Sequence, residues 1–326
     1  MLLAGCGGTA GQASSSSAAA PRGTGEATPA GQARPVKIGV ATLTGISIIP
    51  YVGADAGIWQ KHGIDANINF TKDGPTTMTT LLSGDIQFAL QSDPSIVQAD
   101  LQGADAEWLA VSTPRPHIYL VSQPNIDSVE ALKGKKIGVT TLASYTALIV
   151  RYTLKQHGLD PTKDVQLLAV GGGPQTLAAL MTNQVDAIIA APEEDTAGKK
   201  VLVDYTKGDL VFPQGGFAAR KSFVQGNQAL VQDVVQSYYE SVVRSKTDQA
   251  LGEAETKKLL KLDDPTLIHS TWVGAAGAMS TDIVPTTTEL QTVLDLLSDS
   301  NPKAASAKAT DFFDDTFAKK AVATKP

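Results

Sequence analysis

The apolar positions of this chain fall into short runs and one-sided stripes, and the same groups occur twice. Val36-Lys37-Ile38-Gly39-Val40 is a β-rich run that ends in the turn Thr42-Leu43-Thr44-Gly45. Lys136-Ile137-Gly138-Val139 is another, placed before Thr140-Thr141-Leu142. Written as text, "KIGVATL" at 37–43 returns as "KIGVTTL" at 136–142, an offset of 136 − 37 = 99 residues. Gly74-Pro75 opens a helical stripe of Met78, Leu81 and Leu82, and Gly173-Pro174 opens one of Leu177, Leu180 and Met181. Both stripes follow the i, i+3, i+4 spacing of one helix face, and proline suits the first helical position. Each stripe is followed by a polar turn, an apolar strand and a proline-containing loop: "SGDIQFALQSDP" at 83–94 and "TNQVDAIIAAPE" at 182–193.

A fourth echo is out of step. Lys61-His62-Gly63-Ile64-Asp65 resembles Gln156-His157-Gly158-Leu159-Asp160 at an offset of 156 − 61 = 95. The first helix of the first unit is therefore expected to be about one turn longer. Strand, helix, strand, helix and strand in this order describe two βαβαβ units of an α/β protein. The expected divisions are a tether at 1–35, a first lobe at 36–113, a hinge crossing at 114–126, a second lobe at 127–206, and a return crossing with C-terminal helices at 207–326. In the crossings, 117–121 reads as a strand, and 210–213 with 215–220 as a strand with a Gly-rich interruption. Helices are expected at 227–246, where Leu230, Val234, Tyr238 and Val242 are spaced by four, and at 288–297 and 304–318. This tail is expected to pack back on the first lobe.

With 326 residues, 42% of them hydrophobic, the chain is large for one core, which agrees with two lobes. A formal net charge of −6 argues against a nucleic-acid partner. Residues 7–34 hold almost no large apolar side chain and read as a flexible tether. The single cysteine, Cys6, follows Leu3-Ala4-Gly5 in the manner of a bacterial lipobox, so Cys6 is expected to carry a lipid anchor. The basic and most of the apolar segments of a full signal peptide are absent before it, and trimming is expected. A free thiol in the tether is the alternative. One cysteine leaves no internal disulfide, no zinc–cysteine site and no cysteine nucleophile in the folded part.

Four segments then carry a resemblance: "PYVGADAGIWQKHGIDANI" (50–68), "LLSGDIQFALQSDP" (81–94), "LKGKKIGV" (132–139) and "LMTNQVDAIIAAPEE" (180–194). The chain resembles the bacterial ABC-transporter solute-binding lipoproteins of the nitrate/sulfonate/taurine and thiamine-pyrimidine type, over nearly all of 36–326. The resemblance implies the two-lobed, type II periplasmic-binding-protein fold. It also implies jaw-like closure on a small polar solute, delivery to a permease and ATPase complex, a monomer, an extracytoplasmic place and no cofactor.

Helix N-termini and strand ends facing the cleft direct attention to the loops. Thr42, Thr44, Gly45 and Ser47 follow the first strand and either contact the solute or cap the next helix. Ser92 and Asp93, after the third strand, either face the solute or cap a helix at Pro94. Thr140, Thr141, Ser144 and Tyr145 are the second lobe's counterpart; Tyr145 is either a pocket wall or a packing residue. Gly172 and Gly173 lie in a Gly-rich turn that lacks the Lys-Ser/Thr ending of a phosphate loop and either cradles the solute through backbone N–H groups or simply enters a helix. Pro192 and Glu193, after the last strand of the second lobe, either contact the solute or open a helix whose dipole favours an acid in its first turn. Arg115, between two prolines, either pairs with an anion or is solvated. Trp59, Trp108 and Trp272 read as packing residues. If Asp93 and Glu193 both face the cleft, a bare anion is a poor ligand, so sulfonate-like and cationic or pyrimidine-like solutes both stay open. His62, His117, His157 and His269 have no metal-ligand spacing, and no Gly-x-Ser-x-Gly elbow occurs, so no catalytic residue is expected. A sensor domain, or an enzyme like the thiamine-pyrimidine synthases on the same fold, are the alternatives to a transporter subunit.

Overall fold

The computed structural model describes residues 33–91, 94–192, 194, 196–299 and 301–324. Cys6 and most of the expected tether lie outside them. In chain order the strands are β1 (Arg34–Val40), β2 (Ile64–Phe70), β3 (Phe88–Gln91), β4 (Glu107–Thr113), β5 (Tyr119–Ser122), β6 (Lys136–Val139), β7 (Gln166–Ala169), β8 (Ala187–Ala190), β9 (Lys200–Asp204) and β10 (Gly215–Ala219). They form two five-stranded sheets, ordered β2-β1-β3-β10-β4 and β7-β6-β8-β5-β9. In each sheet three parallel strands come from one βαβαβ unit, and the fourth position is an antiparallel strand that crosses from the other half. The two orders are the same pattern, and this is the two-lobed α/β architecture expected from the repeat.

The repeated glycine has a packing cause. A side chain on Gly39 would come within 2.4 Å of Ile86 Cδ1, and one on Gly138 within 3.1–3.2 Å of Val170, Ile188 and Val185. Ile86 and Val185 are equivalent in the repeat (185 − 86 = 99), so each lobe presses an apolar residue from the same position onto its first strand. The helix that precedes this residue ends alike in both lobes. Gly84 has φ +86° and Asn183 φ +59°, and asparagine is one of the few side chains that tolerate this region.

The out-of-step echo also has its cause. In the first lobe a 3₁₀ turn, Gly45–Ile48, runs into the helix Ile49–Asp55, which breaks at Gly57 (φ +69°) before Ile58–Lys61. The second lobe has one helix, Tyr145–Gln156. The extra helical turn is thus at the entry.

Three clusters of buried side chains cover the sheet faces. One face of the first sheet, with Val36, Ile38 and Val40, packs under Val231, Val234, Tyr238 and Val242 of the helix Gln228–Thr247. Phe217 of β10 stacks between Phe88 (5.2 Å) and Tyr238 (4.6 Å). The helices Ile49–Asp55 and Thr316–Thr324 lie against Gln228–Thr247. The helix Thr287–Ser298 instead touches both Ser95–Leu101 of the first half and Tyr145–Gln156 of the second.

Some boundaries differ from expectation. β1 begins at Arg34, whose guanidinium pairs with Asp233 at 2.6 Å and bonds the His62 carbonyl at 3.1 Å. The strand expected from residue 117 starts at Tyr119, because the His117 amide donates to the Gln214 side chain rather than to a neighbouring strand. Residues 210–213 form no strand. The expected helix at 304–318 is two 3₁₀ turns, Ala304–Ser306 and Ala309–Phe312, followed by the helix Thr316–Thr324. Phe313 is extended there, bridged to Trp108, and the Asp314 amide donates to the Trp108 carbonyl at 2.9 Å. The sheet edge claims backbone that a helix would need.

Candidate functional site

Most hydroxyls of the two first turns are used within those turns. The Thr44 amide donates to Ser47 Oγ at 3.1 Å, and Ser47 Oγ donates to the Thr42 carbonyl at 2.8 Å. Thr44 and Ser47 together cap the 3₁₀ turn, while the Thr42 side chain is exposed. Gly45 is covered: a side chain there would meet Ala275 Cβ at 3.0 Å and Thr271 Cγ2 at 3.2 Å. In the second lobe Ser144 Oγ donates to the Thr141 carbonyl at 2.7 Å and caps the helix Tyr145–Gln156. The Thr140 amide donates to Thr146 Oγ1 at 3.0 Å.

Tyr145 is buried, with its ring stacked on Phe212 at 4.7 Å. Burial holds its phenol well above the usual range. Its ring is engaged in the core and is not a pocket wall. Gly172 faces the Thr140 methyl at 3.4 Å, and Gly173 (φ +53°) is the N-cap of the helix Pro174–Met181. Ser92, Asp93 and Glu193 lie outside the described residues. Trp59 and Trp108 are fully buried, and the Trp59 and Trp272 indoles donate to the carbonyls of Pro50 and Ser245, both at 2.9 Å.

A cavity among the described residues lies at the carboxyl ends of both sheets, where the two crossings meet. Its volume is about 730 Å³. One side is the crossing Pro114–His117 with Tyr119, a second is Pro192 and Thr206 after strands β8 and β9, and the third is the helix Pro265–Ala278. That helix also covers Gly45, so the first lobe's turn stands one layer behind the wall. Of the expected solute contacts, Pro192 lines this cavity; the other described ones are not part of its wall.

The crossings are tied together. The Gln214 amide donates to the Thr113 carbonyl at 2.8 Å, and Gln214 Oε1 accepts from the His117 amide. Arg115 Nη1 donates to the Gly208 carbonyl at 3.2 Å, and among the described residues its nearest carboxylate is exposed Asp209, 4.0 Å away. Burial pulls the His117 imidazole below its ordinary range, although Asp204 acts in the other direction. His269 Nδ1 is 2.6 Å from Glu253. Thr271 is 4% exposed and its Oγ1 has no protein partner, as is also true of Thr113 Oγ1, Thr141 Oγ1 and the Gln91 amide. An unmatched buried hydroxyl or amide costs about 1–3 kcal/mol, so such groups mark places where a ligand or water can repay the cost. Among the described residues no group of three or more His, Cys, Asp or Glu could hold a metal ion.

Sequence reading missed the wall from 269 to 278. Its one local signal is Gly274 and Gly277 inside an otherwise helical stretch, where glycine is disfavoured without a packing or functional reason. In the sequence, His117 reads as the start of a strand and as a histidine without metal-ligand spacing, neither of which points to a cavity wall.

The family model "NMT1/THI5 like" matches residues 46–244, more than half of the chain. A Brucella abortus (strain 2308) protein named as a candidate binding protein is 28% identical over 248 residues, covering 72% of this chain and 74% of that one. Among solved structures, the periplasmic aliphatic sulphonate binding protein of Escherichia coli aligns with a TM-score of 0.69 at 21% identity, over 85% of this chain and 96% of that one. The periplasmic nitrate-binding protein of Synechocystis PCC 6803 aligns with a TM-score of 0.73 at 13% identity, over 90% and 89%. At these identities the two structures speak for the fold. With its family match, its two matching sheets and its paired crossings, the chain belongs to the NMT1/THI5-like family and has the fold of the periplasmic binding proteins.

Proposed function

We propose that this protein is the extracytoplasmic solute-binding subunit of an ABC importer. It captures a small organic solute between its lobes and hands it to a permease and ATPase complex. The observation that carries this reading is the 730 Å³ cavity, walled by both halves of the chain and placed where the crossings join them. A site so placed gains contacts when the lobes approach, so solute and closed form favour each other. The sulphonate- and nitrate-binding roles in the names of the fold's relatives support a polar solute. The protein acts as a monomer, held to the membrane through lipid on Cys6. No helix among the described residues is long and apolar enough to cross a membrane, so such an anchor would have work to do.

The test is a thermal-shift series with taurine, alkanesulfonates, nitrate and pyrimidines, with turnover of each compound followed in parallel. A bound solute at ~100-fold its Kd stabilises by ~2.7 kcal/mol. Saturable stabilisation without turnover is expected. Chemical conversion of a bound compound would favour an enzyme on the same fold. In cells supplied with a complete signal peptide, Cys6→Ser should release the protein from membranes; retention would contradict the anchor.

A further inference from the structure

Among the described residues, two carboxyl groups share one cation behind the cavity wall. Glu255, in the helix Gln249–Leu260, is 2% exposed. Its Oε1 accepts from Lys258 Nζ at 3.1 Å, while its Oε2 is sealed from solvent and meets no N–H or O–H donor. Lys258 Nζ also donates to Asp55 Oδ2 at 2.9 Å, across the junction with the helix Ile49–Asp55. An ionised Glu255 would therefore bury an anionic oxygen with nothing to satisfy it, which is costly.

A proton resolves the conflict. A hydrogen bond joins the Asp55 and Glu255 carboxyl groups, and such a bond exists only while one of the two keeps its proton. Asp55 is 44% exposed, so water supports its charge, and buried Glu255 is the group that stays neutral. Burial, then Asp55, pushes the Glu255 carboxyl up, against the pull of Lys258. Hydrogen bonds from Glu255 and then Lys258 pull Asp55 down. Tyr51 of the helix Ile49–Asp55 also faces Glu255, and burial, then that carboxyl, pushes its phenol further up, so it stays neutral. The other elements packed on this helix leave the pair alone. The 3₁₀ turn Gly45–Ile48 has no titratable side chain. His269 of the helix Pro265–Ala278 is paired with Glu253, and Arg244 of the helix Gln228–Thr247 with Asp248 at 2.7 Å. Lys246 donates to the carbonyls of Ala276 and Met279.

What the cluster holds matters for the cavity. The helix Gln249–Leu260 leads into the helix Pro265–Ala278, and the two pack as a hairpin in which Gly252 leaves room for the Trp272 indole. The second arm of that hairpin is a wall of the cavity. Asp55, Glu255 and Lys258 tie the first arm to the body of the first lobe.

We propose that this cluster is a proton-operated clasp: Glu255 Oε2–H donates to the Asp55 carboxylate, Lys258 balances the remaining charge, and loss of the proton to solvent loosens the hairpin that walls the cavity. The raised Glu255 contributes fully below the ordinary glutamate range, and its contribution is lost as pH rises through its raised range. The lowered Asp55 contributes above the ordinary aspartate range, and its contribution is lost as pH falls through its lowered one. The clasp is thus firmest in mildly acid solution and weakens towards neutral pH.

The test is hydrogen exchange followed by mass spectrometry on the full chain, read as protection factors for residues 249–278 across the acid-to-neutral range, in the wild type, Glu255→Gln and Asp55→Asn. One proton held by the closed form alone makes opening easier by up to about tenfold per pH unit. Wild-type protection should therefore fall by about tenfold or more over the range. Glu255→Gln replaces the proton with an amide, so Nε2 donates to Asp55 at every pH and Oε1 still accepts from Lys258; its protection should keep the wild type's acid-side value. Comparing the two proteins at each pH cancels the other titrating groups. Asp55→Asn removes the charge that holds the proton and should move the fall to lower pH. The inference is overturned if Glu255→Gln falls as the wild type does, if wild-type protection does not change with pH, or if Asp55→Asn leaves the fall in place. A carbon-13 titration of the Glu255 carboxyl gives an independent check: ionisation above the ordinary glutamate range is expected, and ionisation within or below it would also overturn the clasp.

Discussion

The two lobes share a plan and differ in what completes it. Both press one apolar residue onto a first-strand glycine, end the following helix in a left-handed residue, and accept an antiparallel strand from the other half. They part at the first turn. In the second lobe the residue after the cap is Tyr145, sunk into the core against Phe212. In the first lobe Gly45 occupies that place, and the turn is roofed by the helix Pro265–Ala278. This helix has no counterpart in the repeat, and it supplies a wall of the cavity. The repeated part of the chain builds the scaffold, and the unrepeated part builds the site.

That contrast can be broken at several points. The largest expected effect is on Tyr145→Ala, which removes a stacked, buried ring and should cost about 3–5 kcal/mol in chemical denaturation. A loss below about 1 kcal/mol would mean the ring is not packed in the second lobe. Next, Gly39→Val and Gly138→Val should each cost about 2 kcal/mol by overpacking. If only one of them destabilises, the shared packing cause is wrong. Ser144→Ala should cost about 1 kcal/mol through loss of the cap, with a similar loss for Thr44→Ala.

The smallest effect lies at the outer strands, where the lobes carry opposite charges at equivalent positions. Glu107 of β4 pairs with Ala219, and Lys200 of β9 with Ser122. Burial, then Asp314, pushes the Glu107 carboxyl up to about 7, opposed by Lys221. A carboxyl raised in this way holds its proton in the folded state through a range where the unfolded chain has lost it. Stability therefore falls as pH rises from the ordinary glutamate range through about 7. Glu107→Gln should stabilise the protein above that range by about 1 kcal/mol, allowing for the solvent-exposed part of the side chain, and should be neutral near pH 4. Lys200 pairs with exposed Asp127 at 3.2 Å, and Lys200→Gln should change stability by only a few tenths of a kcal/mol at any pH, as is usual for surface pairs.

The same contrast explains what could be read in advance. "KIGVATL" and "KIGVTTL" located both first strands, because strand runs, helix-opening prolines and αL glycines are set by neighbours in sequence. The extra turn of the first lobe was legible from a shift in a repeated His-Gly pair. The cavity was not legible. Arg115, Pro192, Thr206 and Thr271 are brought together by two crossings and a late helix, and no local motif links them. The two first turns hold the right residue types for a ligand, but Thr44, Ser47 and Ser144 spend their hydroxyls on caps, a use the composition of a turn does not distinguish from binding. The glycines at 274 and 277 were the one overlooked clue, since a helix seldom carries two without cause.

The most direct measurement is native mass spectrometry of the protein isolated from its own cell envelope, beside Gly277→Leu prepared identically. The expected result is a single non-covalent small molecule on the wild-type protein and none on Gly277→Leu, whose side chain would stand in the cavity wall. The same mass retained on Gly277→Leu would place the solute outside the cavity formed by the crossings and the unrepeated helix.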